Sequence, residues 1–286
     1  MLGKLMKYDL RSGIRRFAIV WIGLAALAAI NGFTLRFLNE GRSESDLLSF
    51  FLGVLPLILL FAMYVAMGIL VLVFVVDRFY KGLLGDEGYL MFTLPVTSSA
   101  HIASKTLSAL IFEILSALVA LVSGGLLMAV FLPAEGFREL SDMMRALAEE
   151  LRANPLPAGT GWVIAEFVLY SILTAAVANL QIYTALSLGH LAKKNRGAFS
   201  LLAYVGISIA LSMIMSSCMT MLFQSDAFSN VLAGNWQFSV DGTGWHVQGV
   251  NLSASALGAG IALELIKGTG FFFATRAILN KRLNLE

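Results

Sequence analysis

The sequence predicts an all-α, polytopic membrane protein with six transmembrane helices, both termini cytoplasmic, plus interfacial amphipathic helices. Three observations carry that reading. Six stretches are each long and apolar enough to cross a bilayer, at about Phe17–Leu35, Leu47–Val76, Ala103–Leu132, Trp162–Leu188, Ala198–Phe223 and Leu252–Ile278. A hydrocarbon core of about 30 Å takes roughly 20 mostly apolar residues, and helices satisfy every backbone polar group inside it. Hydrophobic residues make up 58% of the chain and charged residues 13%, whereas soluble domains carry about 25% charged residues. Nothing of soluble-domain size lies between the stretches, so residues 1–286 form a single transmembrane domain.

Orientation follows from Lys and Arg, which collect in cytoplasmic loops. One side receives Lys4, Lys7, Arg11, Arg15 and Arg16, then Arg78, Lys81 and Lys105, then Lys193, Lys194 and Arg196, and finally Arg276, Lys281 and Arg282. The other receives Arg36, Arg42, Arg138, Arg145 and Arg152, mostly interleaved with acids. The termini are therefore expected inside, in the cell membrane. The net charge of +2 belongs to this anchoring and implies no nucleic-acid partner. The first apolar stretch is longer than a leader's h-region, so it reads as a retained span rather than a cleaved signal.

The elements follow in order. In residues 1–16, Leu2, Leu5, Met6 and Leu10 share a helical face and Lys4, Lys7 and Arg11 lie off it, as in a short helix lying in the inner interface. Residues 77–102 form a cytoplasmic loop with charged residues, glycines either side of Asp86-Glu87, and a Leu94-Pro95 break. Thr97, Ser98 and Ser99 offer caps for the helix entering the third span. Tyr89, Leu90, Met91 and Phe92 give that loop apolar exposure suited to a docked protein; an interfacial helix in headgroups is the alternative. Of the outer loops, 133–161 and 224–251, the first contains an amphipathic pattern at 137–152. The second alternates Trp236, Phe238 and Val240, passes Asp241-Gly242-Thr243-Gly244, and resumes with Trp245 and Val247. That is hairpin chemistry, or else aromatics dipping into the interface.

Catalytic and metal-binding patterns are missing. The only Gly-Lys pair is Gly3-Lys4, so there is no phosphate-binding P-loop. His101, His190 and His246 are isolated, and Cys218 is the single cysteine, so neither a metal site nor an intrachain disulfide is expected. No catalytic and no cofactor-binding residue is assigned. Ionisable groups inside the spans are Glu113, Glu264 and Lys267, each expensive in lipid and each needing a reason. Glu113 and Lys267 count to similar depth and are expected to pair between helices, with Glu264, one turn from Lys267, as the rival partner. Small residues at Ser208, Ser212 and Ser216, and at Gly260 and Gly268 around Glu264, mark faces where helices approach closely.

The run FYKGLLGDEGYLMFTLPVTSSAHIASKTLSAL at residues 79–110 resembles the permease subunits of type-2 ABC transporters, the six-span exporter class of Gram-positive bacteria. The resemblance extends to the basic N-terminal helix, the six spans and the lack of an ATPase domain. It implies that the loop carries the coupling helix, with Asp86, Glu87, Gly88 and Tyr89 at the contact with a separately encoded ATP-binding subunit. It also implies a second permease chain, identical or related, and ATP with Mg held by the partner ATPase rather than by this chain. Family members export peptides, toxins, drugs and lipid-linked or polysaccharide cargo, and the Met and Phe content favours an amphipathic or hydrophobic one. A proton-coupled secondary transporter using Glu113, Glu264 or Glu166, and a non-transporting membrane scaffold or sensor, remain the other two readings.

Overall fold

The computed structural model describes residues 2–40, 47–85, 96–153, 160–192, 194–223, 237–241, 244–248 and 254–281. Its elements are α1 (Leu2–Glu40), α2 (Leu47–Phe79) running into a π-helical turn (Tyr80–Leu84), α3 (Ser98–Phe131), α4 (Ala134–Ala153), α5 (Thr160–His190), α6 (Arg196–Phe223), strands β1 (Gln237–Asp241) and β2 (Gly244–Gln248), and α7 (Ala254–Lys281). Two compact units result, Met1–Phe79 with Ala103–Pro157, and Tyr80–Ile102 with Ala158–Glu286.

Among the described residues five helical stretches are long and apolar enough to cross a membrane: Leu5–Phe37, Val54–Leu84, Ser98–Phe131, Ile164–His190 and Arg196–Ser217. The sixth expected span is a helix too, α7, but Gly, Ala and Thr dilute its apolar content and Glu264 and Lys267 interrupt it. Large apolar side chains point outward, with Ile22 70%, Phe33 66% and Leu121 73% exposed, while Asn31, Ser108, Thr184, Ser187 and Thr275 are buried. That inversion is what lipid as solvent selects, and the chain is a multi-pass membrane protein.

In the first unit α1 is one continuous helix of 39 residues, so the basic segment 1–16 and the first span share an axis. Its core is aromatic. Phe17 stacks on Phe112 of α3 at 4.4 Å and 16°, and Phe74 of α2 meets the edges of both, at 5.4 Å from Phe17 and 4.7 Å from Phe112. Such pairs contribute about 0.5–1.5 kcal/mol beyond area burial. Trp21 Nε1 donates to Ser116 Oγ at 3.2 Å, and Tyr64 shares a 2.8 Å hydrogen bond with Ser123, tying α3 to α1 and to α2. Gly13 exists because a Cβ there would enter the Phe74 and Phe112 rings.

In the second unit α5 packs against both α6 and α7. Thr184 and Thr275 join hydroxyls at 2.9 Å between α5 and α7, both buried. Gly260 faces Tyr170, and Gly268 lies so near Val177 that a Cβ would come within 2.9 Å. The small stripe of the last helix therefore packs within its own chain. On α6, Ser208 accepts a 2.8 Å bond from Gln181, whereas Ser212 and Ser216 stay exposed. Asn195, at φ 56°, turns the chain between α5 and α6 and its carbonyl accepts from Phe199 N–H at 3.1 Å. Asn takes that left-handed conformation at little cost. The hairpin pairs antiparallel from Gln237↔Gln248 to Asp241↔Gly244.

Candidate functional site

The segment between α2 and α3 is anchored at both ends by one carboxylate. Asp9, on the third turn of α1, is buried to 2% exposure. Arg78, at the last turn of α2, donates from Nε to Asp9 Oδ1 at 2.7 Å and from Nη2 to the same oxygen at 2.5 Å. Lys105, near the start of α3, reaches Oδ1 at 2.8 Å and Oδ2 at 3.0 Å. Lys105 is itself only 4% exposed, and Arg78 is a quarter exposed. Arg16 stands 3.7 Å from Asp77 as a solvated outer pair of the kind that contributes little.

Local structure places each partner. Arg78 sits two residues before the π-helical turn, which closes with Gly85 N–H donating to Tyr80 O at 2.7 Å. Single π turns accommodate an extra residue in the helix and are frequent at functional sites. Thr97 caps α3, its carbonyl accepting from Ala100 and His101 N–H at 2.9 and 3.3 Å, so Lys105 falls two turns into that helix. Asp9 is the member the other two share: removing it strands Lys105 in low dielectric at about 3–5 kcal/mol, whereas removing either cation leaves the carboxylate paired with the other. Arg78 and Lys105 thus hold the two stems of the 80–102 loop against α1.

Asp9 was not singled out by sequence reasoning, which counted Arg78 and Lys105 only as topology markers. The signal was present: Asp9 is the only acid before Glu40, amid a cluster of basic residues. The residues expected at an ATPase contact, Asp86, Glu87, Gly88 and Tyr89, lie outside the described residues. So does the loop tip at 90–95.

The intramembrane charges divide between the units. Glu113 belongs to the first and Glu264 and Lys267 to the second. Lys267 Nζ lies 2.6 Å from Glu264 Oε1, so the ion pair found for Lys267 is the intrahelical one, within α7. Spacing of i to i+3 brings the two side chains together without any help from a neighbouring helix. Glu264 is 5% exposed and lies in the wall of an apolar groove of about 390 Å³ between α5 and α7, beside Val177, Gly268 and Phe272. Among the described residues no group of His, Cys, Asp and Glu is arranged to hold a metal ion.

Comparison with protein-family profiles, with curated proteins and with solved structures finds no match to this chain.

Proposed function

We propose that this chain is the transmembrane permease subunit of an ATP-driven exporter that moves an amphipathic or hydrophobic cargo, with ATP hydrolysed by a separate subunit. In this reading α7 completes six spans, both termini are cytoplasmic, and two permease chains, identical or related, enclose the cargo path. Support comes from the resemblance of residues 79–110 and from one geometric observation, the double anchoring of the 80–102 loop on Asp9. A loop that a partner pushes must pass force to the membrane helices. Stems tied to α1 through a buried charge node do that, because the node has no cheap intermediate geometry.

The experiment is copurification of the full chain from native membranes with an ATP-hydrolysing subunit, followed by cargo-stimulated ATPase measurement in vesicles. Glu87→Arg and Tyr89→Ala are expected to weaken that association by altering a partner-facing surface. Asp9→Asn is expected to leave association intact and to reduce cargo stimulation. A chain that purifies alone and transports under a proton gradient would return the assignment to a secondary transporter.

A further inference from the structure

The basic residues at the start of α1 divide between two jobs that the sequence does not separate. Asp9, Gly13 and Phe17 take the buried face. Lys7, Arg11 and Arg15 recur every four residues, all exposed. At 100° per residue their stripe lies about 160° around the helix from the buried one. Tyr8, 70% exposed, and Ile14, 52% exposed, flank it. Among the described residues none of the three cations has an acidic partner. The described carboxylates of this end, Asp9 and Asp77, are held by Arg78 with Lys105 and by Arg16.

Depth identifies what the stripe meets. The apolar run of α1 opens at Phe17, and because the helix continues unbroken through both segments, the rise per residue measures distance along one axis. At 1.5 Å per residue Arg15 lies about 3 Å, Arg11 about 9 Å and Lys7 about 15 Å beyond Phe17. The headgroup layer occupies about 5–8 Å on each side of the hydrocarbon. Arg15 therefore stands at headgroup depth and Arg11 just beyond its outer edge, while Lys7 lies about 7–10 Å past that edge in water, about one Debye length from the charged layer. Guanidinium groups present a planar fork that matches phosphate oxygens.

We infer that Lys7, Arg11 and Arg15 form a binding stripe for the phosphates of anionic lipid headgroups. The stripe stands independently of the transport reading, since it needs only a membrane around α1. Each cation near an anionic surface is worth ~1 kcal/mol, or about fivefold in preference for anionic over neutral lipid. The preference falls as salt rises.

The test uses the purified full chain in vesicles of phosphatidylcholine mixed in equal parts with phosphatidylglycerol, with retained lipids identified by native mass spectrometry. Phosphatidylglycerol is expected to be enriched on the wild-type chain. Arg11→Gln and Arg15→Gln made singly should each lower the enrichment about fivefold and Lys7→Gln by less, and the triple variant should abolish most of it. Arg11→Lys with Arg15→Lys should keep the greater part. Arg138→Gln, Arg145→Gln and Arg152→Gln on α4 should change nothing. Equal retention of both lipids by the wild type would overturn the inference, as would undiminished enrichment across the single variants. Unchanged lipid enrichment together with loss of a copurifying protein would assign the stripe to an acidic protein surface instead.

Discussion

Asp9 shows how much a single residue can hold when charge is buried. Its partners come from positions 69 and 96 residues away in sequence. Local pattern cannot name pairs at that separation, which is why the one acid before Glu40 read as part of an amphipathic helix. Asp9→Asn preserves shape and removes the charge, leaving Lys105 buried with a neutral partner. The detergent-solubilised protein should lose about 3–5 kcal/mol of stability. Adding Lys105→Met should restore much of the loss, because Arg78 is a quarter exposed and can turn to water. Thermal unfolding of the single and double variants measures the coupling. Strictly additive losses would mean that the three groups do not act as one node. The second pair behaves asymmetrically. Glu264 has a side chain 7% exposed and Lys267 one 23% exposed. Lys267→Met strands a buried carboxylate, whereas Glu264→Gln strands an ammonium that can still reach the surface by its flexible stem. Lys267→Met should therefore be the more destabilising, with the double variant recovering. Equal losses from the two would contradict the observed burial.

Elements were legible where their signals were local. Thr97 caps α3 as its position before a helical run implied, and Asp241 pairs with Gly244 at the end of two antiparallel strands. The Gly260 and Gly268 stripe correctly marked a packed face, although its neighbour, α5, was not in the spacing. The merger of residues 2–16 with the first span was hidden for a physical reason. Amphipathicity reports which face is apolar, and a helix projecting beyond the bilayer has the same face pattern as one lying flat. Close approach also predicts substitutions. A Cβ on Gly189 would collide with the backbone of Ser200, which unlike a flexible side chain cannot move aside. Gly189→Ala should push α5 and α6 apart and destabilise by about 1–3 kcal/mol. Gly197→Ala, where the Cβ meets open space, is the control and should be neutral or slightly stabilising. Thermal melts of the two in the same detergent compare them directly. A neutral Gly189→Ala would show that the helices are not pressed together there.

At the scale of the molecule the question is whether α7 crosses the membrane, since among the described residues five helical stretches pass on length and apolarity and α7 passes on length alone. Its 28 residues extend about 42 Å at 1.5 Å each, enough to span. Its contacts argue the same way. α7 packs along α5, a helix that passes both criteria, and its polar atoms at Thr275 are buried on that partner rather than turned outward. Near its end Asn280 Oδ1 accepts a 2.6 Å bond from Ser98 Oγ, so the end of α7 and the start of α3 share one side. The hairpin before α7 precedes its other end. In a Cys218→Ser background, cysteines introduced at Ser98, Asn195 and Asn280 should be shielded from an impermeant thiol reagent in intact cells. Cysteines at Asp142 and Asp241 should be labelled. Labelling of Asn280 together with Asp241 would mean that α7 returns without crossing, and only five spans would remain. Labelling of Ser98 with Asn280, and protection of Asp142 with Asp241, would instead keep α7 as a span and invert the chain. The basic residues at 193–196 and 276–282 would then face outward, against the charge asymmetry that sets orientation.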